Sequence, residues 1–276
     1  MRKKKIVFGI LKYAVLIIGI VLILFPLYVT VNTALKTQSE VSRSFFTLPS
    51  SFYLGNFYQV ISEARFYSSF SNSLLVTVVS VALMMVLIPM LSFAISRNFN
   101  KKYFVFVYYF ILSGIFIPFQ AVMLPIYKNM GDLGLLNQYG LIIQYLAFSL
   151  AQGTFLCVGH LKSISMQLDE AAKIDGCSVW KTYTKIIFPL MRPIIVTVLV
   201  IDLLWVWNDF QLPLIMLNRS PSYWTLPLYI YNFMGEYTTN YPVIFAGFFL
   251  TMIPIIIIYL FLQKDIIGGL TEGAIK

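Results

Sequence analysis

Long apolar stretches separated by shorter polar ones make up most of this chain. Six stretches reach the roughly 20 residues a helix needs to cross a hydrocarbon core. They run over 6–31, 71–96, 103–126, 139–159, 193–217 and 242–262. The fourth is the most polar, with Gln144, Ser149, Gln152 and Thr154. Lipid cannot satisfy such groups, so this span is expected to pack inside a bundle whose neighbours can. The pattern predicts an all-α membrane protein of six transmembrane helices. Its expected divisions are a first helix with an outer segment over 1–70, a transmembrane domain over 71–264 and a tail over 265–276. Arg2-Lys3-Lys4-Lys5 before the first run looks like the start of a secretory signal. That run is too long for one and lacks a small-residue cleavage site, so it is expected to stay as the first span.

Composition agrees with the pattern. Of 276 residues, 59% are hydrophobic and 11% charged, with mean hydropathy +0.81. A soluble domain is about a quarter charged. A soluble cytosolic enzyme is therefore excluded, and so is a disordered chain, which is hydrophobicity-poor.

The net charge of +9 would suggest nucleic acid in a soluble protein, but its placement gives a different account. Fifteen of the 20 Lys and Arg lie at the N-terminus, in the second and fourth connections (Arg97, Lys101, Lys102; Lys162, Lys173, Lys181, Lys185, Arg192) and at the C-terminus (Lys264, Lys276). The other connections hold Lys36, Arg43, Arg65, Lys128 and Arg219. This alternation follows the positive-inside rule, so both termini and residues 160–192 are expected in the cytoplasm. Nucleic acid is not expected as a partner; membrane lipid is. Residues 32–70 are expected outside, and their many aromatics suit the membrane interface or contact with an external partner.

Residues 160–192 carry two short helices by their local signals. Ser165 can accept a backbone N–H at the start of the first, and Gly176 can take the left-handed conformation that ends it. Ser178 can cap a second helix that Pro189 ends, and Pro193 suits the first turn of span five. Leu168, Ala171, Ala172 and Asp175 fall at i, i+3, i+4 and i+7, with two adjacent alanines leaving room for a close approach.

These residues also resemble a known family. Glu170-Ala171-Ala172, Gly176, Ile186 and Phe188-Pro189, at their spacing, are similar to the EAA motif of ABC importer permease subunits. Ile174-Asp175-Gly176 and Trp180 resemble the carbohydrate branch related to the smaller inner-membrane subunit of maltose-type transporters. So do Asn72-Ser73-Leu74, Ile117-Pro118-Phe119-Gln120, Leu133-Gly134-Leu135-Leu136-Asn137, Trp207-Asn208-Asp209-Phe210, Trp224-Thr225-Leu226-Pro227 and Gly269-Leu270-Thr271-Glu272-Gly273-Ala274. Phe188 stands where the motif usually has Leu, and Ser165 where Pro is common.

The resemblance implies a coupling loop seated in a groove of a separate ATP-hydrolysing subunit. Glu170 would bond a cation there, Ala171 and Ala172 would pack closely, Gly176 would make the turn, and Asp175 and Trp180 belong to the same coupling segment. It also implies a second permease subunit, two ATP-binding subunits and an extracytoplasmic solute-binding protein, in a bacterial cytoplasmic membrane. No cofactor is implied on this chain; ATP and Mg would sit on the partner ATPases. No GxxxxGK[ST] loop occurs in the sequence, so hydrolysis belongs to another polypeptide and this chain is not expected to be an enzyme. The expected cargo is a carbohydrate, of oligosaccharide size. The alternatives are a non-sugar solute such as a glycerol phosphodiester, a secondary carrier, and a membrane enzyme, for which no nucleophile, metal or acid–base cluster is apparent.

Asp202 lies near the middle of span five, where a carboxylate costs about 2.5–3.5 kcal/mol and so usually faces the bundle interior or a wet cavity. At 100° per residue Asp202, Trp205 and Asp209 share one face. Carboxylates accept hydroxyl protons and an indole covers a sugar ring, so this face is expected to line the substrate path. Asp202 pairing with a neighbouring helix, and Asp209 as an anchor, are the other readings. Cys157 and Cys177 have neither metal nor disulfide spacing, and Cys157 is expected to be a small buried residue. His160 is expected at the interface, and Met84 and Met85 in packing or against lipid.

Overall fold

A computed structural model describes residues 2–231 and 240–272, and every regular element among them is helical. In chain order these are α1 (Arg2–Ala34), α2 (Gln38–Arg43), α3 (Gly55–Ser62), α4 (Ala64–Arg97), α5 (Lys102–Ser113), α6 (Phe119–Asp132) and α7 (Gln138–Leu161). There follow α8 (Gln167–Ile174), α9 (Val179–Thr182), a π turn over Tyr183–Ile187, α10 (Phe188–Leu190), α11 (Arg192–Asn208), α12 (Gln211–Leu217), α13 (Leu226–Tyr231) and α14 (Tyr241–Glu272). Four of these are long and apolar enough to cross a membrane, and up to six spans result if two bent pairs, α5 with α6 and α9–α10 with α11, each count as one.

Two of the expected spans are not continuous helices. The stretch 103–126 breaks between α5 and α6, with a bend of 105°. Pro118 disfavours the helical conformation in the residue before it, and Ile117 is extended at φ −89°, ψ 112°. The stretch 193–217 breaks after α11, where Asp209 is extended at φ −69°, ψ 133°. Its carboxylate accepts from the N–H groups of Gln211 (3.1 Å) and Leu212 (3.3 Å), which starts α12. The expected tail over 265–276 is helical as far as Glu272; Gly273, Ala274 and Lys276 lie outside the described residues.

The chain divides into two compact units. One comprises Met1–Tyr67 and Tyr229–Pro254. In it, α1 exposes Leu11, Leu22, Ile23, Leu24 and other apolar side chains among its described ones. Just beyond α1, residues 35–56 form a hydrogen-bonded knot. Asn32 Nδ2 donates to the carbonyls of Phe45 (2.7 Å) and Thr47 (2.9 Å), and Asn56 Nδ2 to those of Ala34 (2.8 Å) and Lys36 (2.7 Å). The fully buried Lys36 donates from Nζ to the Ser44 carbonyl at 3.0 Å and to Thr47 Oγ1 at 3.2 Å. Glu40 caps α2 by accepting from the Thr37 N–H at 2.9 Å, and it also accepts from the backbone and hydroxyl of Ser50.

These donors, the Ser50 hydroxyl foremost, hold the Glu40 carboxyl down at about 2. An unfolded glutamate titrates near about 4.3, so the bonds stabilise the knot fully above that pH and are lost as pH falls toward about 2. Pepsin cleavage around Phe46 and Leu48 is therefore expected to be slow near pH 4 and to accelerate toward pH 2. Glu40→Gln should remove that contrast, leaving cleavage equally fast at both.

The second unit comprises Ser68–Leu228 and Ile255–Lys276. Its core gathers Ile88, Tyr145, Leu161, Ile187, Met191 and Leu217, all fully buried, around α7. Lipid gives apolar helices little reason to associate, so close packing has to come from small residues. Gly153 of α7 supplies one such place: a Cβ there would lie 2.8 Å and 2.9 Å from Ile88 of α4 and 3.6 Å from Val198 of α11. Gly153→Val is expected to wedge these helices apart, costing about 1–3 kcal/mol and lowering the melting temperature in detergent. An unchanged melting temperature would show that the contact yields without strain.

Candidate functional site

Two constellations in the second unit gather the sequence-marked residues. The first is the hairpin of α8 and α9. Ser165 Oγ accepts from the Gln167 N–H at 3.2 Å, and Ser178 Oγ from that of Lys181 at 3.2 Å, so both serines work as the sequence suggests. Gly176 takes φ +75° and closes a Schellman turn: the Cys177 N–H reaches the Ala172 carbonyl at 2.9 Å, and the Gly176 N–H that of Lys173 at 3.1 Å. Pro189 does not end the second helix, because the backbone widens into the π turn just before it and continues to Leu190. A π turn relaxes the ladder that an internal proline would otherwise break. His160 Nε2 lies 3.2 Å from the Leu190 carbonyl, within hydrogen-bond reach.

The hairpin has an inner and an outer side. Ala172 is 3% exposed and packs within this chain, so the two alanines do not share one free face; only Ala171 is exposed. Tyr183 lies buried against Phe93 (ring centroids 5.2 Å) and Phe188 (5.7 Å). Burial pushes the Tyr183 phenol up to about 12, which keeps it a neutral packing group. On the outer side are Glu170, Ala171, Asp175 and Gly176, with Ile174 86% and Trp180 60% exposed. Val179 and Met166 extend this apolar surface. Large apolar side chains exposed together around a carboxylate mark a contact surface for another protein.

The second constellation lies where α7 meets α11. A cavity of about 700 Å³ is lined by Gly114, Ile117, Phe148, Gln152, Phe155, Asp202 and Trp205, among others. Asp202 is 5% exposed and accepts from the Ser149 hydroxyl at 2.7 Å. It therefore pairs with a neighbouring helix and also lines the cavity. Trp205 meets Tyr145 edge-on, with ring centroids 5.3 Å apart and an interplanar angle of 84°, and Phe148 at 6.4 Å and 89°. Asp209 does not continue this face, because α11 has already ended. Its carboxylate takes the Tyr145 hydroxyl at 2.9 Å together with the two N–H groups that start α12. Three donors on one carboxylate make it an anchor for the break. A smaller cavity of about 120 Å³ between Phe119, Phe148 and Trp205 reaches it.

Sequence reading missed Phe148 and Phe155, which with Gln152 fall at i, i+4 and i+7 on α7 and form one stripe of the cavity wall. The signal was present: Ser149 and Gln152 are two of the four polar positions of that span, beside Gln144 and Thr154.

The description "Binding-protein-dependent transport system inner membrane component" matches residues 88–267. The multiple sugar-binding transport system permease protein MsmG of Streptococcus mutans is 43% identical over 278 residues, covering 100% of both chains. The probable starch degradation products transport system permease protein AmyC of Thermoanaerobacterium thermosulfurigenes is 35% identical, over 96% of this chain and 97% of that one. Among solved structures, a chain of a bacterial ABC transporter involved in import of the acidic polysaccharide alginate shares the fold. It matches with TM-score 0.80 at 24% identity, over 94% of this chain and 96% of that chain.

Proposed function

Because this chain belongs to the family of binding-protein-dependent transport system inner membrane components, we propose that it is a permease subunit of an ATP-driven importer that carries a carbohydrate of oligosaccharide size. It is a multi-pass membrane protein of a transporter family. In this reading it crosses the bacterial cytoplasmic membrane six times, with α5 and α6 together as one span and α11 as another, and with both termini and the hairpin in the cytoplasm. The fifteen-to-five distribution of Lys and Arg supports that orientation.

The observation that carries the reading is the outer side of the α8–α9 hairpin. There Glu170, Ile174 and Trp180 stand exposed on an element whose caps and buried inner side hold it in one shape. An ATPase subunit grips this side, with Glu170 on one of its cations and Ala171 allowing close approach. ATP and Mg act on the two ATPase subunits. When these close on ATP, the hairpin moves as a body, and the spans rock between inward- and outward-facing states. A second permease subunit completes the path, and a solute-binding protein delivers the cargo from outside.

The carbohydrate cargo rests on the names of the relatives and on the cavity. Phe148, Phe155 and Trp205 line the cavity with aromatic surface that suits the apolar side of a sugar, while Gln152 and Asp202 can bond its hydroxyls. The test is uptake of labelled oligosaccharide into proteoliposomes. Accumulation should require the partner permease, the ATPases, the binding protein and ATP together. Transport by the purified single chain driven by an ion gradient would make it a secondary carrier instead.

A further inference from the structure

Arg97, the last residue of α4, enters the sequence pattern only as a topogenic charge. In the structure its guanidinium lies against α8. Nε donates to Asp169 Oδ1 at 3.2 Å, and Nη2 lies 2.9 Å from Asp169 Oδ2 as an ion-pair contact outside hydrogen-bond geometry. Nη1 points to the carbonyls of Leu161 and Ile164, each at 3.4 Å. The guanidinium carbon lies 5.8 Å from the centre of the Phe93 ring. The Arg97 side chain is 10% exposed and that of Asp169 20%. One planar cation thus joins the end of α4, the end of α7, the connection after it and α8.

The position of Asp169 gives this joint its meaning. Asp169 precedes Glu170 and lies one helical turn from Ala172, so its pairing faces the inner side of the hairpin. The pair therefore fixes the rotation of α8 about its own axis, and with it the direction in which Glu170 points. It also ties α8 to α4, a span to which neither of its covalent connections, back to α7 and onward through α9 to α11, leads. We propose that Arg97 and Asp169 form a strut by which movement of the hairpin is delivered to α4, making both of them positioning residues for coupling. The proposal rests on the reading that an ATPase subunit grips the hairpin. If Arg97 only anchored α4 at a polar interface, any cation would serve there. A strut needs the guanidinium plane, because a single lysine nitrogen cannot meet Asp169 and the Leu161 and Ile164 carbonyls at once.

The experiment uses the complete importer in proteoliposomes and reads ATP hydrolysed per oligosaccharide imported, beside co-purification of the ATPase. Arg97→Lys and Asp169→Asn should each raise that ratio about tenfold while the ATPase stays bound, since residues along a coupling path shift it by amounts of this order. Combining Arg97→Asp with Asp169→Arg should lower the ratio again relative to Arg97→Asp alone. A wild-type ratio in both single variants, or no improvement in the exchanged pair, would overturn the strut. Loss of assembly in both single variants, unrelieved by the exchange, would assign the pair to folding and overturn it equally. Failure of the docking reading is seen separately, as ATPase that co-purifies undiminished with Glu170→Ala.

Discussion

Glu170→Ala is expected to release the ATPase subunits from the permease and to abolish uptake, with the permease itself still folded. Glu170 is exposed on α8. Its removal should therefore leave the melting temperature within a degree or two of the original. Seated against a partner's cation, the same carboxylate becomes half of a desolvated pair. Truncating one member of such a pair costs about 2 kcal/mol or more, roughly thirtyfold in affinity. Co-purification from membranes measures the loss directly, and uptake should fall with it. Ala172→Leu should behave differently: this position is buried inside the chain, so the change should lower stability first.

The second large effect is expected at the cavity. Asp202→Asn keeps the shape of the side chain and an oxygen for the Ser149 hydroxyl, so the α7–α11 contact should survive. What disappears is a charged acceptor on the cavity wall. A hydrogen bond to a charged group contributes about 1.5–3 kcal/mol, so oligosaccharide uptake should fall about tenfold or more. Association with the ATPase should not change. Trp205→Ala should also impair uptake, and Trp205→Phe should recover part of it by restoring a ring face. Full transport by Asp202→Asn would leave Asp202 as a packing residue paired with Ser149. For Asp209→Asn the expected loss is in stability, because its three donors hold the break between α11 and α12.

Much of this architecture can be read from the residues because it depends on local rules. Apolar runs place the helices. Ser165, Gly176 and Ser178 shape the hairpin through caps and turns that involve only their chain neighbours. The breaks at Ile117–Pro118 and after Asn208 are harder to read. Prolines also lie inside α1, α4, α6 and α14, where the helix continues, so Pro118 by itself does not announce a bend. The break after α11 depends on Asp209 receiving the Tyr145 hydroxyl from another helix, a contact that periodicity within one helix cannot show. The same limit explains Ala172 and Arg97. Helical spacing places Ala171 and Ala172 on one face, and only the packing of α8 turns the second one inward. Arg97 looks like any positive charge at the end of a span until Asp169, far along the chain, is folded beneath it.

Grip on the hairpin by an ATPase subunit can be tested in membranes that are actively importing. With Cys177 replaced by serine, Ile174→Cys would place a reactive thiol on the most exposed apolar position of α8, leaving Cys157 buried. A short bifunctional reagent should join position 174 to the ATPase subunit, with a yield that changes when ATP is added. Membranes that import at the normal rate while position 174 remains unlinked to any ATPase would contradict the account.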